Sequence, residues 1–532
     1  LIARSAERFG DRPAVIDGET KLTFLELADL VRRAQRALLA IGVDSGDRVA
    51  VWAPNTFHWI VAATAAQSCG ASLVPVNTRF TGTEALAILA RTKTKVLFCP
   101  DRFLGNDYLG MLRDAPADPA QGPIVAALPA LERVALIPVE GGDAMPEPGV
   151  ASWEELLAEG EAVDPEEARR VAASVEPGDV ADILFTSGTT GLPKGAMSSH
   201  SQTLAVADSW ATRAQVSDED VFMIIAPFFH SFGYKAGWVV CLLRGATIVP
   251  QITFDLDQVV ETIEREEVSI LPGPPTIFQS LLAYPDRQSR DINSLRLAVT
   301  GAAPIPVVLV ERMRRELGFD LVITAYGLTE AVVVSMCQEG DEPETISHTS
   351  GCATADFEIR IADETGTVLA AGEDGEIQVR GPNVMLGYLD DPEATRAAVD
   401  ADGWLHTGDV GHLDPDGYLT ITDRLKDMIT VGGFNVYPAE VENTILALDA
   451  VVECAVIGIP DERMGEVGCA YVVARPGHDM DEESTIAFCR ERLANYKVPR
   501  HVVFVDALPH NAAGKVLKRE LRQGPVGQSQ TV

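Results

Sequence analysis

Between residues 23 and 99 the chain switches hydrophobic period five times. Leu27, Leu30, Val31, Ala34, Leu38 and Ile41 recur at helical spacing, and Thr23 with Glu26 forms a capping-box pattern ahead of them. A strand pattern follows at 48–52, a helix at 58–69, a strand at 72–76, a helix at 83–90 and a strand at 95–99. Short apolar strands separated by amphipathic helices assemble as parallel, doubly wound sheet, because each crossover helix must cover a sheet face. The alternation continues past residue 180, with strands expected at 295–300 and 321–324 around a helix at 306–317. From residue 351 the texture changes to short strands with Gly turns, at 357–361, 376–380 and 418–422, which predicts a small barrel-like sheet. Beyond the charged run at 423–427, helices at 439–448 and 482–493 and strands at 453–459, 471–474 and 501–505 predict a separate α+β domain.

Size and charge narrow the function classes. A chain of 532 residues exceeds one ordinary core, so more than one domain is expected. Against 43 Lys and Arg stand 78 Asp and Glu, a net charge of −35. Such a field repels nucleic acid and anionic membrane, and any anionic ligand needs a local cationic patch. No apolar run approaches the ~18 residues of a membrane span. The N-terminal stretch has no signal-peptide pattern, and eight cysteines without a C-x-x-C pair predict neither a zinc site nor a disulfide framework. A reduced, cytoplasmic setting is the expectation. The Ala-, Pro- and Gly-rich stretch at 114–148 reads as loops around one strand at 134–139.

The chemistry concentrates at residues 182–200. An apolar run at 183–185 feeds a loop containing Thr186, Ser187, Gly188, Thr189, Thr190 and Gly191, with one cation at Lys194. Glycines let backbone N–H groups close on an anion and hydroxyls add donors, so the loop suits a polyphosphate. It is not G-x-x-x-x-G-K-[ST], which fails on spacing and on the residue after Lys194. The ten residues 186–195 resemble the phosphate loop of the adenylate-forming superfamily: acyl-CoA synthetases, firefly luciferases and peptide-synthetase adenylation domains.

That resemblance implies an α/β fold, with an N-terminal ATP- and acyl-binding domain at 1–425 built from two doubly wound sheets and a small β-barrel. A small mobile α+β catalytic domain at 426–523 and a disordered tail at 524–532 complete it. It implies ATP, Mg²⁺ and coenzyme A. A carboxylate attacks the α-phosphorus of ATP and expels pyrophosphate, then a thiol attacks the acyl-adenylate. By the same resemblance Thr186 and Lys194 serve the phosphates, Tyr326 and Gly327 lie beside adenine, Thr329 touches phosphate and Glu330 holds the metal. Gly301, Ala302 and Ala303 form the adenine-side loop, and Asp409 and Arg424 take the ribose. Lys426 is the hinge, Gly432 and Gly433 line the pantetheine path, and Lys515 bridges carboxylate and α-phosphate. Lys515 also resembles sites acetylated by a lysine acetyltransferase, and a homodimer is a further expectation.

His230 occupies the position of an aromatic gate between acid and thiol tunnel. Amino-acid-activating relatives carry Asp there, so an amino acid is not the expected substrate. Phe232, Tyr234, Lys235 and Pro274 are expected to wall an acyl pocket, where Lys235 either bonds a ring ketone or is salt-bridged at the pocket rim. Blocks at 228–237, 271–282, 295–313 and 355–363 are similar to the branch of the family that activates a propanoate on a bicyclic steroid remnant. Ser231 and the longer segment before residue 150 depart from that pattern. A medium-chain fatty acyl-CoA ligase and a stand-alone module loading a carrier protein are the alternatives. An inactive nucleotide-binding regulator is disfavoured by the intact Lys194, Glu330, Asp409 and Lys515 set.

Overall fold

The computed structural model describes residues 1–114, 128–139, 149–186, 193–301, 305, 307–363, 365–424, 429–436, 438–448, 450–475, 480–509, 516 and 518–522. The expected tail at 524–532 lies outside them.

The helix foreseen at 23–43 spans Phe24–Ala40. Thr23 Oγ1 accepts from the Glu26 N–H at 3.2 Å while Glu26 Oε2 accepts from the Thr23 N–H at 2.8 Å, so two otherwise unpaired donors are satisfied at its start. Its Leu27, Val31, Ala34 and Leu38 are buried, as their spacing requires. The next helix, Phe57–Ser68, buries every residue from Trp59 to Ala66. An apolar circumference of that kind belongs inside a molecule, and Trp59 accordingly meets Phe228, Tyr234 and Trp238.

Two large sheets frame this core. One has eight strands, and its parallel run contains Val180–Thr186, Ser72–Pro75, Arg48–Val51 and Val96–Cys99 in that spatial order. The other has nine, with Leu321–Tyr326, Leu297–Thr300, Ile270–Pro272 and Val221–Ile224 as parallel neighbours. Antiparallel strands finish one edge of the first sheet and both edges of the second.

The glycine-punctuated region holds four antiparallel strands in sequence order: Glu358–Ala362, Gly375–Arg380, Leu405–Leu413 and Leu419–Arg424. The third of them is an addition to the strands expected at 357–361, 376–380 and 418–422. Pairing runs from Glu376 opposite Val410 to Gln378 opposite His406, so Thr407, Gly408 and Asp409 bulge out opposite one residue. Gly408 takes φ +72°, a conformation that side chains with a Cβ rarely adopt.

The C-terminal α+β unit is centred on a hairpin of Val451–Asp461 and Gly465–Ala474, longer in both arms than expected. Helices Pro438–Leu446 and Glu482–Arg490 bury Val441, Ile445 and Cys489 against it. The boundary expected at 425/426 falls in 425–428, outside the described residues. Lys497, 3% exposed, pairs at 2.8 Å with Glu440 of its own unit and at 2.8 Å with Glu84 of the larger one. Asn77 donates to the Tyr496 hydroxyl at 3.1 Å, and the Arg79 guanidinium lies 4.1 Å from the Phe434 ring. Six of the eight cysteines are buried, two are half-buried, and none is in a disulfide. No helix among the described residues is long and apolar enough to cross a membrane.

Candidate active site

Strand Val180–Thr186 pairs antiparallel with Lys194–Ser199, and Thr186 sits opposite Lys194. The segment between, with Ser187, Gly188, Thr189, Thr190 and Gly191, lies outside the described residues. A third strand, Gly387–Tyr388, adds to the free edge, with Ala196 opposite Tyr388. Leu389 N–H donates to the Gly195 carbonyl at 2.8 Å, and Arg91 donates to the carbonyls of Pro193 and Leu389. These contacts fix both ends of the loop. They also set the Lys194 ammonium 5.1 Å from the Tyr388 ring.

Strand Leu321–Tyr326 delivers the second group of residues. A Cβ on Gly327 would lie 1.8 Å from the Val332 carbonyl oxygen, so only glycine allows the chain to fold back there and present Glu330. The Tyr388 hydroxyl donates to Glu330 Oε1 at 2.8 Å. Burial raises the Glu330 pKa above the ordinary carboxylate value; the Tyr388 hydroxyl and Lys194 pull it back, and Asp409 adds to the rise. The Tyr326 hydroxyl donates to Asp409 Oδ2 at 2.6 Å, so the bulge of the four-stranded sheet brings its carboxylate to the same cleft. Arg424 is the register partner of Asp409 on the adjacent strand. Three sheets therefore contribute charged or hydroxyl groups to one cleft. Thr329 is half-buried beside it, and Gly301 follows strand Leu297–Thr300, with Ala302 and Ala303 outside the described residues.

His230 caps a short turn, its Nδ1 accepting from the Phe232 N–H at 3.2 Å. His230 is exposed as a residue, yet desolvation by the surrounding protein lowers its pKa below the ordinary value. The buried Asn55 side chain accepts from the Phe228 N–H at 2.7 Å and donates to the Ala226 carbonyl at 3.0 Å, holding the turn's approach. Phe232 and Pro274 are half-buried. Tyr234 and Lys235 are not pocket-wall groups. Both are fully buried, and Lys235 Nζ pairs with Asp182 Oδ1 at 2.8 Å, so the ammonium does not reach for a ring ketone. Gly432 and Gly433 form the exposed two-residue turn of the Ile429–Val431 and Phe434–Val436 hairpin, at φ +56° and +84°. Lys426 and Lys515 lie outside the described residues.

Tyr388 and Asp182 escaped the sequence reading. Tyr388 belongs to no motif, although the apolar run at 384–389 marks its strand. Asp182 carried the better signal, a lone acid inside an apolar strand.

The model for the AMP-binding enzyme family matches residues 2–389, and that for the AMP-binding enzyme C-terminal domain matches residues 440–515. The chain is 55% identical over 522 residues to the 3-[(3aS,4S,7aS)-7a-methyl-1,5-dioxo-octahydro-1H-inden-4-yl]propanoyl:CoA ligase of Rhodococcus jostii, covering 98% of this chain and 97% of that one. It is 53% identical, over the same shares, to the ligase of that name from Mycobacterium tuberculosis. Among solved structures it is similar to an o-succinylbenzoate CoA synthetase from Bacillus subtilis bound to a product analogue. That likeness has a TM-score of 0.79 and 29% identity, covering 98% of each chain.

Proposed function

The chain belongs to the AMP-binding enzyme family, and from that premise we propose that it is an ATP-dependent, AMP-forming acyl-CoA ligase acting on a dioxo-octahydroindenyl propanoate. The observation that carries the ligase chemistry is the convergence of Lys194, Tyr388, Glu330, Tyr326 and Asp409 from three sheets. The identity of 55% across nearly all of both chains supports the bicyclic acid.

Attack of a carboxylate on the α-phosphorus builds negative charge, which a fixed cation such as Lys194 offsets in a cleft of low polarity. Asp409 presents carboxylate oxygens suited to ribose hydroxyls, and Tyr326 orients one of them. Glu330 is a hard oxygen ligand kept in reach of Lys194, and Mg²⁺ bound there would neutralise phosphate charge. Mg²⁺ is a hard cation that keeps several waters and is held through one or two carboxylates with substrate phosphates, so a single Glu330 carboxylate suffices as its protein ligand. His230, with its pKa lowered, is a neutral ring at pH 7 and can separate acid from thiol without repelling or binding the carboxylate as an ion. Lys515 is assigned the bridging charge of the first half-reaction, and its acetylation would remove that charge.

Purified protein supplied with ATP, Mg²⁺ and the bicyclic propanoate should release AMP and pyrophosphate and consume free CoA. Preference for octanoate would reassign the acid, and preference for a phosphopantetheinyl carrier protein over CoA would reassign the acceptor.

A further inference from the structure

Lys235 and Asp182 are both at 0% exposure, 2.8 Å apart, at a place where the reaction uses neither. Asp182 lies in the strand that ends at Thr186, where the phosphate segment begins. Lys235 lies five residues after His230, in the π-helical turn Tyr234–Trp238. The pair is an ion contact without hydrogen-bonding geometry at Asp182 Oδ1 or Lys235 Nζ, set in a polar network around the other carboxylate oxygen. Asp182 Oδ2 accepts from Thr203 Oγ1 at 3.1 Å and from the Tyr234 hydroxyl at 3.3 Å. That hydroxyl accepts from Gln67 Nε2 at 2.6 Å, and the same Gln67 nitrogen donates to the Ala181 carbonyl at 3.1 Å. Three segments thus meet at one carboxylate, and a fourth, through Gln67, reaches it by way of the Tyr234 hydroxyl.

The turn needs an external tether. Gly237 has φ −115° and ψ −107°, outside helical values, so the regular backbone ladder is broken there. A Cβ on Gly233 would fall 2.3 Å from the Pro227 carbonyl oxygen, so the segment is folded tightly on itself. A buried ion pair is a poor way to gain stability, because desolvation offsets most of the attraction and an apolar pair of similar volume does as well. What it supplies is register, since the two buried charges neutralise each other only while the two segments are held together.

We propose that Asp182 and Lys235 are positioning residues for adenylation, locking the turn that carries His230 and Phe232 to the strand that delivers the phosphate loop. The proposal rests on the ligase reading above and deepens it. The distance between acid and nucleotide is then set from behind the cleft, by groups that touch neither ligand. Misplacement of a reacting group by about 1 Å from a remote change can lower a rate by ~10²-fold.

The test is the neutral double variant Asp182→Asn with Lys235→Met, which leaves no unpaired buried charge and keeps acceptors for Tyr234 and Thr203. It should melt close to wild type and keep its KM for ATP. Its kcat for pyrophosphate release with the bicyclic acid should fall roughly 10- to 100-fold, with a raised KM for the acid. Thioester formation from supplied acyl-adenylate should be far less affected. Hydrogen exchange should accelerate at 226–238 and 181–186 and not elsewhere. A folded double variant with wild-type kcat and acid KM, or with wild-type exchange in both segments, would overturn the proposal. If wild-type protein itself releases no pyrophosphate on any acid, the ligase reading fails, and the exchange comparison still decides whether the pair couples the two segments.

Discussion

Glu330 shows how one side chain's chemistry is assembled from distant parts of the chain. Its carboxyl is raised by burial and steadied by a tyrosine 58 residues later. If the ionised form works in adenylation, the rate falls as pH drops through this raised pKa. Tyr388→Phe removes a hydrogen bond that favours the charged form, so the acidic limb of kcat/KM should move to higher pH, and an unmoved limb would show that another group titrates. Lys515→Ala should lower pyrophosphate exchange by ~10²–10³ while sparing thioester formation from preformed adenylate, the scale of losing one preorganised charge. Exchange near the wild-type rate would remove Lys515 from the mechanism. Motif residues such as Glu330 and Asp409 were legible because their neighbours in sequence carry the pattern. The partner of Lys235 was not, because a contact across 53 positions leaves no local trace and a lysine near a gate reads equally well as a ligand or as half of a buried pair.

Elements were legible where period and caps agreed. The capping box at Thr23 and the short buried strands of both large sheets follow from local patterning. The strand Leu405–Leu413 was not legible, since its Thr-Gly-Asp bulge carries the residues that ordinarily signal a turn. The two-glycine turn at 432–433 offers a test at this scale. A Cβ on Gly433 meets nothing within 4 Å, so Gly433→Ala should cost only the left-handed backbone penalty, ~1 kcal/mol. If this turn borders the pantetheine path, the variant should raise KM for CoA and leave pyrophosphate exchange intact; an unchanged KM would assign the glycine to turn geometry alone.

At the scale of the whole molecule, the contact between the two units rests on a charged group shut away from water. Burial alone would lower the Lys497 pKa, yet the Glu84 and Glu440 carboxylates hold it above the ordinary lysine value. Glu84→Gln keeps an acceptor for the cap at Thr81 and withdraws one of the two charges from the ammonium. This variant should change the ratio of adenylation to thioester rates several-fold while the melting temperature moves by only a few degrees. An unchanged ratio would mean that the arrangement of the units is held by other contacts. The cysteines carry a separate consequence. Burial raises the pKa of all eight thiols, to about 12 for Cys69 and about 11 for Cys489. A catalyst that handles a free sulfhydryl co-substrate thereby keeps its own sulfur protonated and six of its eight thiols buried, and CoA disulfide has no ready nucleophile to trap. A thiol-reactive dye mixed with the native protein should label the six buried cysteines only as fast as the fold opens, which makes those side chains a built-in clock for unfolding.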